Sequence, residues 1–233
     1  MALPRQKVMK NRIRTQADFE RVLQTICVDL AQANDHYMLF KNLMMAKEGS
    51  FTKAVSQSQT FWALTYRAHL DTALFRLCRA YDQNADALTL RTVVETIQKR
   101  PAFLPSPAPP LNEAELDAAL ASVSQESSQM VEHLMMWRHK VYAHKDSGKV
   151  ISSRRLSDEY PITYNDVDAL LSKGFDIVNR FSVAFFSRSY KPPIVGGDDY
   201  LKVLETLQQH AEAAEHGCNA PSEPFSSSKL SRA

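Results

Sequence analysis

The sequence predicts an all-α fold, an up-and-down bundle of about five to six helices, and three observations carry the prediction. Helix breakers are scarce: 233 residues hold only 6 Gly, and several of the 11 Pro crowd between Pro101 and Pro110, leaving the rest free to wind without interruption. Apolar residues recur at steps of three and four over long stretches, the period of a helix face rather than of a strand. Thr or Asn stands where several of those stretches begin, placed to accept from the first free backbone amides. With 44% hydrophobic residues, the chain has enough apolar surface for one sizeable core.

Residues 1–14 read as a basic arm, with Arg5, Lys7, Lys10, Arg12 and Arg14 and no intervening acid. Thr15 and Asp18 form a capping pair ahead of Phe19, Val22, Leu23, Ile26 and Leu30, which start a long helix to about Ala46. Gly49 ends it. Ser50 is placed to cap the next helix, where Trp62, Tyr66, Leu70, Ala73, Leu74, Leu77 and Tyr81 share a broad apolar face. Leu90, Val93, Val94 and Ile97 make a shorter third. Pro101 to Pro110 lacks the amide donors of a helix or central strand and reads as an extended connector.

Asn112 with Glu115 opens a long fourth helix to about His144. Along it Leu116, Leu120, Val123, Ser127, Met130, Leu134, Trp137 and Val141 alternate steps of four and three, the seam of a bundle helix. Ser147 to Pro161 loses that period and reads as an irregular or hairpin segment. Thr163 and Asp166 restart a helix through Leu170, Leu171, Phe175, Val178, Phe181 and Phe185, which ends before Pro192 and Pro193. A last amphipathic helix runs from Asp198 to about His216, where Gly217 stops it. The organisation expected is an arm over 1–14, a helical domain over 15–191 with a Pro-rich loop at 101–110, a C-terminal helix within 192–216, and a Ser- and Pro-rich disordered tail over 217–233.

Composition excludes several function classes. Cys27, Cys78 and Cys218 are odd in number and far apart, which does not suit a disulfide framework and points to a reducing, cytoplasmic setting. No apolar run approaches the ~18 residues of a membrane span, so no membrane partner is expected. There is no Gly-rich phosphate loop, G-x-S-x-G elbow or paired-Cys motif, which argues against nucleotide hydrolysis, esterase and redox chemistry. His133, His139 and His144 are spaced by six and five, so no successive two share a helical face, and no metal or other cofactor is expected.

The densest set of reactive side chains closes the fourth helix: Trp137, Arg138, His139, Lys140, Val141, Tyr142, Ala143, His144, Lys145 and Asp146. Arg is a permanent planar cation that forks two hydrogen bonds onto phosphate oxygens, and His moves a proton near neutrality. In RNA the 2′-hydroxyl is a nucleophile already held beside phosphorus, so a base, an acid and positive charge suffice to cleave it. Lys140, Lys145, Lys149, Arg154 and Arg155 face one acid, Asp146, and form a candidate phosphate-contact surface. The alternative readings are solvated surface charge, and a His144 that merely extends the apolar seam at a helix end. On an ideal helix Arg138 and His144 lie roughly 120° apart in azimuth and ~9 Å apart along the axis. One copy therefore does not focus both on one phosphate; a helix that ends between them, or a second copy about a two-fold axis, would.

That cluster resembles the motif of HEPN domains, in which an Arg is followed by a polar residue and, a handful of residues later, by a His. Arg138, His139 and His144 match it, and the phrase Arg138 to Asp146 is similar to the abortive-infection U subgroup with its Ala-His-x-Asp ending. Asp82, Leu88-Thr89-Leu90 and Ile177-Val178-Asn179 extend the resemblance over about Thr15 to Ser189. The resemblance implies an all-α HEPN bundle that forms a homodimer through its motif helices, acting as a metal-independent ribonuclease in phage defence or toxin-antitoxin systems, with RNA and an antitoxin or regulatory protein as partners. By the same carry-over Arg138 and His144 are the catalytic pair, supported by His139 and Asp146. HEPN toxins silenced by adenylylation carry a Tyr two residues after the His, where this chain has Asp146.

Overall fold

The structure, a computed structural model, describes residues 13–84, 86–105, 112–143, 156–187, 189–190 and 197–218. Thr15 opens α1 (Gln16–Glu48) with the expected reciprocal cap: its hydroxyl accepts from the Asp18 amide at 3.1 Å, and the Asp18 carboxylate accepts from the Thr15 amide at 3.0 Å. Ile13, assigned to the arm by sequence, is instead buried, and Arg100 Nη1 donates to its carbonyl at 2.9 Å. The folded body therefore begins before Thr15.

A short α2 (Thr52–Ser56) precedes α3 (Gln59–Ala80), so the second long helix starts after Ser58 and not at Ser50. α1 and α3 run antiparallel, joined by the Asp29–Arg76 ion pair at 2.7 Å and by His36 and His69, whose Nδ1 atoms are 2.8 Å apart. Thr89 caps α4 (Leu90–Lys99) through the Thr92 amide. The Pro-rich connector begins as a 3₁₀ turn, Pro101–Phe103, because proline at a first helical position gives up only an amide that would be unpaired there. Residues 106–111 lie outside the described residues.

The expected fourth helix is two. Asn112 caps α5 (Glu113–Ser122) through the Ala114 amide at 3.0 Å, and α6 (Gln129–Trp137) follows a break. The break falls where Ser124, Ser127 and Ser128 interrupt the pattern: the amides of Ser127 and Ser128 both turn back to the Ser124 carbonyl, and the Ser124 hydroxyl bonds Glu126. Serines compete for backbone groups and favour such turns over helix interiors. Beyond Trp137 the chain winds as a π-helix, Arg138–Ala143, instead of continuing as α.

After residues 144–155, which lie outside the described residues, come α7 (Leu156–Glu159) and α8 (Tyr164–Phe186), the latter capped by Thr163 and Asp166 as the sequence predicts. The irregular segment is thus helical at Leu156–Glu159, and the described residues contain no strand. α8 ends at Ser187 with φ 50.

Two tyrosines tie α8 to the α1–α3 pair: Tyr37 Oη donates to the Tyr164 carbonyl at 2.8 Å and Tyr81 Oη to that of Leu170 at 2.6 Å. Phe19, Leu23, Leu30, Leu77, Leu134 and Phe181 fill the space between them. Gly174 lets α8 approach so closely that a Cβ there would stand 2.8 Å from Leu30 Cδ2. α9 (Asp199–Cys218) docks on α2 through Lys53–Glu215 at 2.6 Å and the Ala54 amide to Gln208 at 3.0 Å. Its turns run past Gly217, which therefore does not stop it, because glycine weakens a helix without forbidding it. Residues 219–233, most of the expected tail, lie outside the described residues. No helix among the described residues is long and apolar enough to cross a membrane.

Candidate functional site

The site is assembled where α3 ends. Tyr81 closes α3, and the chain turns through Asp82, Gln83 and Asn84. A carboxylate just beyond a helix C-terminus meets the negative end of the dipole, so Asp82, only 9% exposed, calls for a cation. Arg138 supplies it: Nη2 donates to Asp82 Oδ2 at 2.6 Å, while Asp82 Oδ1 accepts from the Asn84 amide at 3.0 Å. The Arg138 side chain keeps 31% of its surface exposed against 12% for that of Asp82. The guanidinium is thus held by Asp82 and partly exposed.

α6 delivers Arg138 to that place. Val131, Leu134 and Met135 bury one face, the Trp137 indole Nε1 donates to the Tyr160 carbonyl at 2.7 Å, and His133 Nδ1 lies 2.7 Å from the Pro161 carbonyl. These contacts pin α6 to the strand of chain leading into α8. The π winding then departs from the expected seam: Leu134 is fully buried, but Val141, its predicted continuation, is 40% exposed. A wider turn rotates every later side chain away from the line an α-helix would keep.

Of the predicted site residues, Arg138, His139 and Lys140 share the π-turn, with His139 exposed and Lys140 half-buried. His144, Lys145, Asp146, Lys149, Arg154 and Arg155 lie outside the described residues; His144 follows Ala143, the last residue of the turn, directly in the chain. Cys78 lies beneath the ion pair, its Sγ 3.7 Å from the Leu134 carbonyl, and burial pushes its thiol up to about 12 despite the nearby Arg138. That thiol is no nucleophile near neutral pH. Among the described residues no group of three or more His, Cys, Asp or Glu is placed to hold a metal ion.

Asp82 is the residue whose role sequence reasoning did not assign. Its signal was present, an acid placed against a helix dipole, but its partner stands 56 positions away.

A helical body with Arg138 held in a π-turn is consistent with a HEPN-type domain. The chain belongs to the HEPN_AbiU2 family, AbiU2, whose profile matches residues 17–204. No curated protein and no solved structure matches it.

Proposed function

We propose that the protein is a metal-independent endoribonuclease of the HEPN type, toxin-like or acting in phage defence, that cleaves RNA at a site shared by two copies of the chain. The observation that carries this reading is the Asp82–Arg138 pair, which fixes a permanent cation beside the motif and leaves it accessible. His144 takes the proton of the 2′-hydroxyl, the O2′–P bond forms, and the P–O5′ bond breaks. The partner's copy of the same histidine returns a proton to the leaving 5′-oxygen, giving a 2′,3′-cyclic phosphate and a 5′-hydroxyl. Arg138 neutralises charge gathering on the non-bridging oxygens, and Asp82 is its positioning residue. His139 and Asp146 support the pair, while Lys140, Lys145, Lys149, Arg154 and Arg155 hold the strand. An antitoxin or other regulatory protein is a further partner in this reading.

A second reading has its own observation. Arg138 already has a carboxylate partner, as in an ordinary structural ion pair, and a HEPN-like module that binds RNA or protein without cutting would keep it. Cleavage of labelled RNA in excess EDTA separates the two. Under the first reading His144→Ala and Arg138→Ala each lose about a hundredfold or more; under the second, wild type and variants are equally inert.

A further inference from the structure

A small polar pocket adjoins the ion pair and shares Asp82 with it. It encloses about 140 Å³ and is lined by Gln83, Asn84, Arg91, Thr92 and Glu95 as well. Its walls are held in place. Gln83 Nε2 donates to the carbonyls of Tyr81 and Val123 at 2.6 and 2.9 Å, Arg91 Nε donates to Glu95 at 2.8 Å, and Arg91 Nη1 donates to Gln83 Oε1 at 3.3 Å. Asn84 uses its Oδ1 to accept from the Asp86 amide at 3.0 Å. Asn84 is exposed and the Arg91 side chain is 36% exposed, so the Asn84 amide and the Arg91 guanidinium both reach solvent at the pocket. Such a wall therefore carries amide and guanidinium donors next to carboxylate acceptors.

The volume is well below the roughly 300–1,000 Å³ of pockets that enclose a drug-sized ligand, so the pocket takes the edge of a flat group rather than a whole molecule. A planar edge carrying both acceptors and donors is what unpaired nucleobases present, and single-stranded RNA is read through those edges. We propose that this pocket is a base-recognition subsite, in which Asn84 and Arg91 read the nucleotide flanking the phosphate held by Arg138. The inference rests on the ribonuclease reading for that phosphate, and it adds where sequence preference arises. Asp82 links the two halves: it orients the phosphate-binding cation with one oxygen and forms the pocket wall.

The test measures binding, so that it survives a failure of the chemistry. Fluorescence anisotropy ranks the four homopolymeric oligoribonucleotides on full-length His144→Ala protein, then on the same protein carrying Asn84→Ala or Arg91→Lys, with thermal melts checking that each variant is folded. Arg91→Lys keeps the charge and removes the fork; Asn84→Ala leaves the Arg91–Glu95 wall intact. Best and worst oligonucleotide differ by about fivefold or more in the parent, the low end for one base-edge contact, and by less than about twofold in the variants. A ranking that both folded variants retain, or a parent that does not rank the bases, overturns the subsite while leaving cleavage by the wild type in EDTA untouched. A flattened ranking without wild-type cleavage keeps the subsite and removes the ribonuclease; no RNA binding overturns the subsite, and cleavage by the wild type in EDTA decides the ribonuclease separately.

Discussion

Removing either partner of the Asp82–Arg138 pair costs different amounts, and the order follows from burial. Arg138→Ala strands a carboxylate whose side chain is 12% exposed, beside a helix C-terminus that repels it, with only the Asn84 amide for compensation. Asp82→Ala leaves a guanidinium that is 31% exposed and can turn to water. Exposed ion pairs contribute about 0.2–1 kcal/mol, whereas breaking a fully buried one costs about 3–5. This pair lies between, so Arg138→Ala is expected to cost about 2–3 kcal/mol and Asp82→Ala about 1–2. The double variant then falls short of the sum by about 1–1.5 kcal/mol, the coupling of the pair. With a urea m-value of about 2–3 kcal/mol/M, a loss of 1.5 kcal/mol moves the midpoint by about 0.5–0.75 M, which equilibrium unfolding followed by Trp fluorescence resolves. Additive single effects, within about 0.3 kcal/mol, or an Arg138→Ala protein as stable as wild type, would refute the geometry on which the site is built.

If the site uses His144 from both copies, adding an equal amount of inactive His144→Ala protein to wild type about halves cleavage after subunit exchange, since half the wild-type chains then sit in mixed dimers with one histidine; undiminished cleavage counts against sharing. Burial and the neighbouring His36 lower the His69 pKa, so the unfolded chain binds the extra proton first as pH falls. Stability measured by urea midpoint is therefore constant above about pH 6.5–7 and declines below it, and His69→Gln removes that part of the slope. Gly174→Ala gains about 1 kcal/mol of helix propensity but drives a methyl into buried Leu30 at 2.8 Å, an overpacking worth about 1–3; a net loss near 1 kcal/mol is expected, and a midpoint above wild type would show that α1 and α8 pack less closely. Native Cys27 and Cys78, both buried, should resist alkylation at pH 8 until denaturant is added; rapid labelling of either would place it at the surface.

What was legible in the sequence is what is local. Thr15 with Asp18 and Thr163 with Asp166 fix helix starts within one turn of chain, and the apolar period names Phe19, Leu77, Leu134 and Phe181 as core. The break between α5 and α6 was hidden because the alternation of fours and threes runs straight through it, with exposed Ser127 occupying a seam position. Serine's weak preference against helix could not be weighed against that pattern without knowing where the neighbours lie. The π-turn had no signal of its own; it follows two anchors, Trp137 on Tyr160 and His133 on Pro161, separated by 23 and 28 residues. For the site, Arg138 was readable from its motif, whereas the carboxylate that aims it was not.

Those anchors have a further effect on how the chain is free to vary. The chain leaves the π-turn at Ala143 and meets α6 again at Tyr160 and Pro161, so both ends of the intervening stretch share one support. Each doubling of that stretch adds only about 0.6 kcal/mol of closure cost. A longer or shorter stretch therefore costs the two anchors little, and they keep the end of α6, and Arg138 with it, against the chain entering α8.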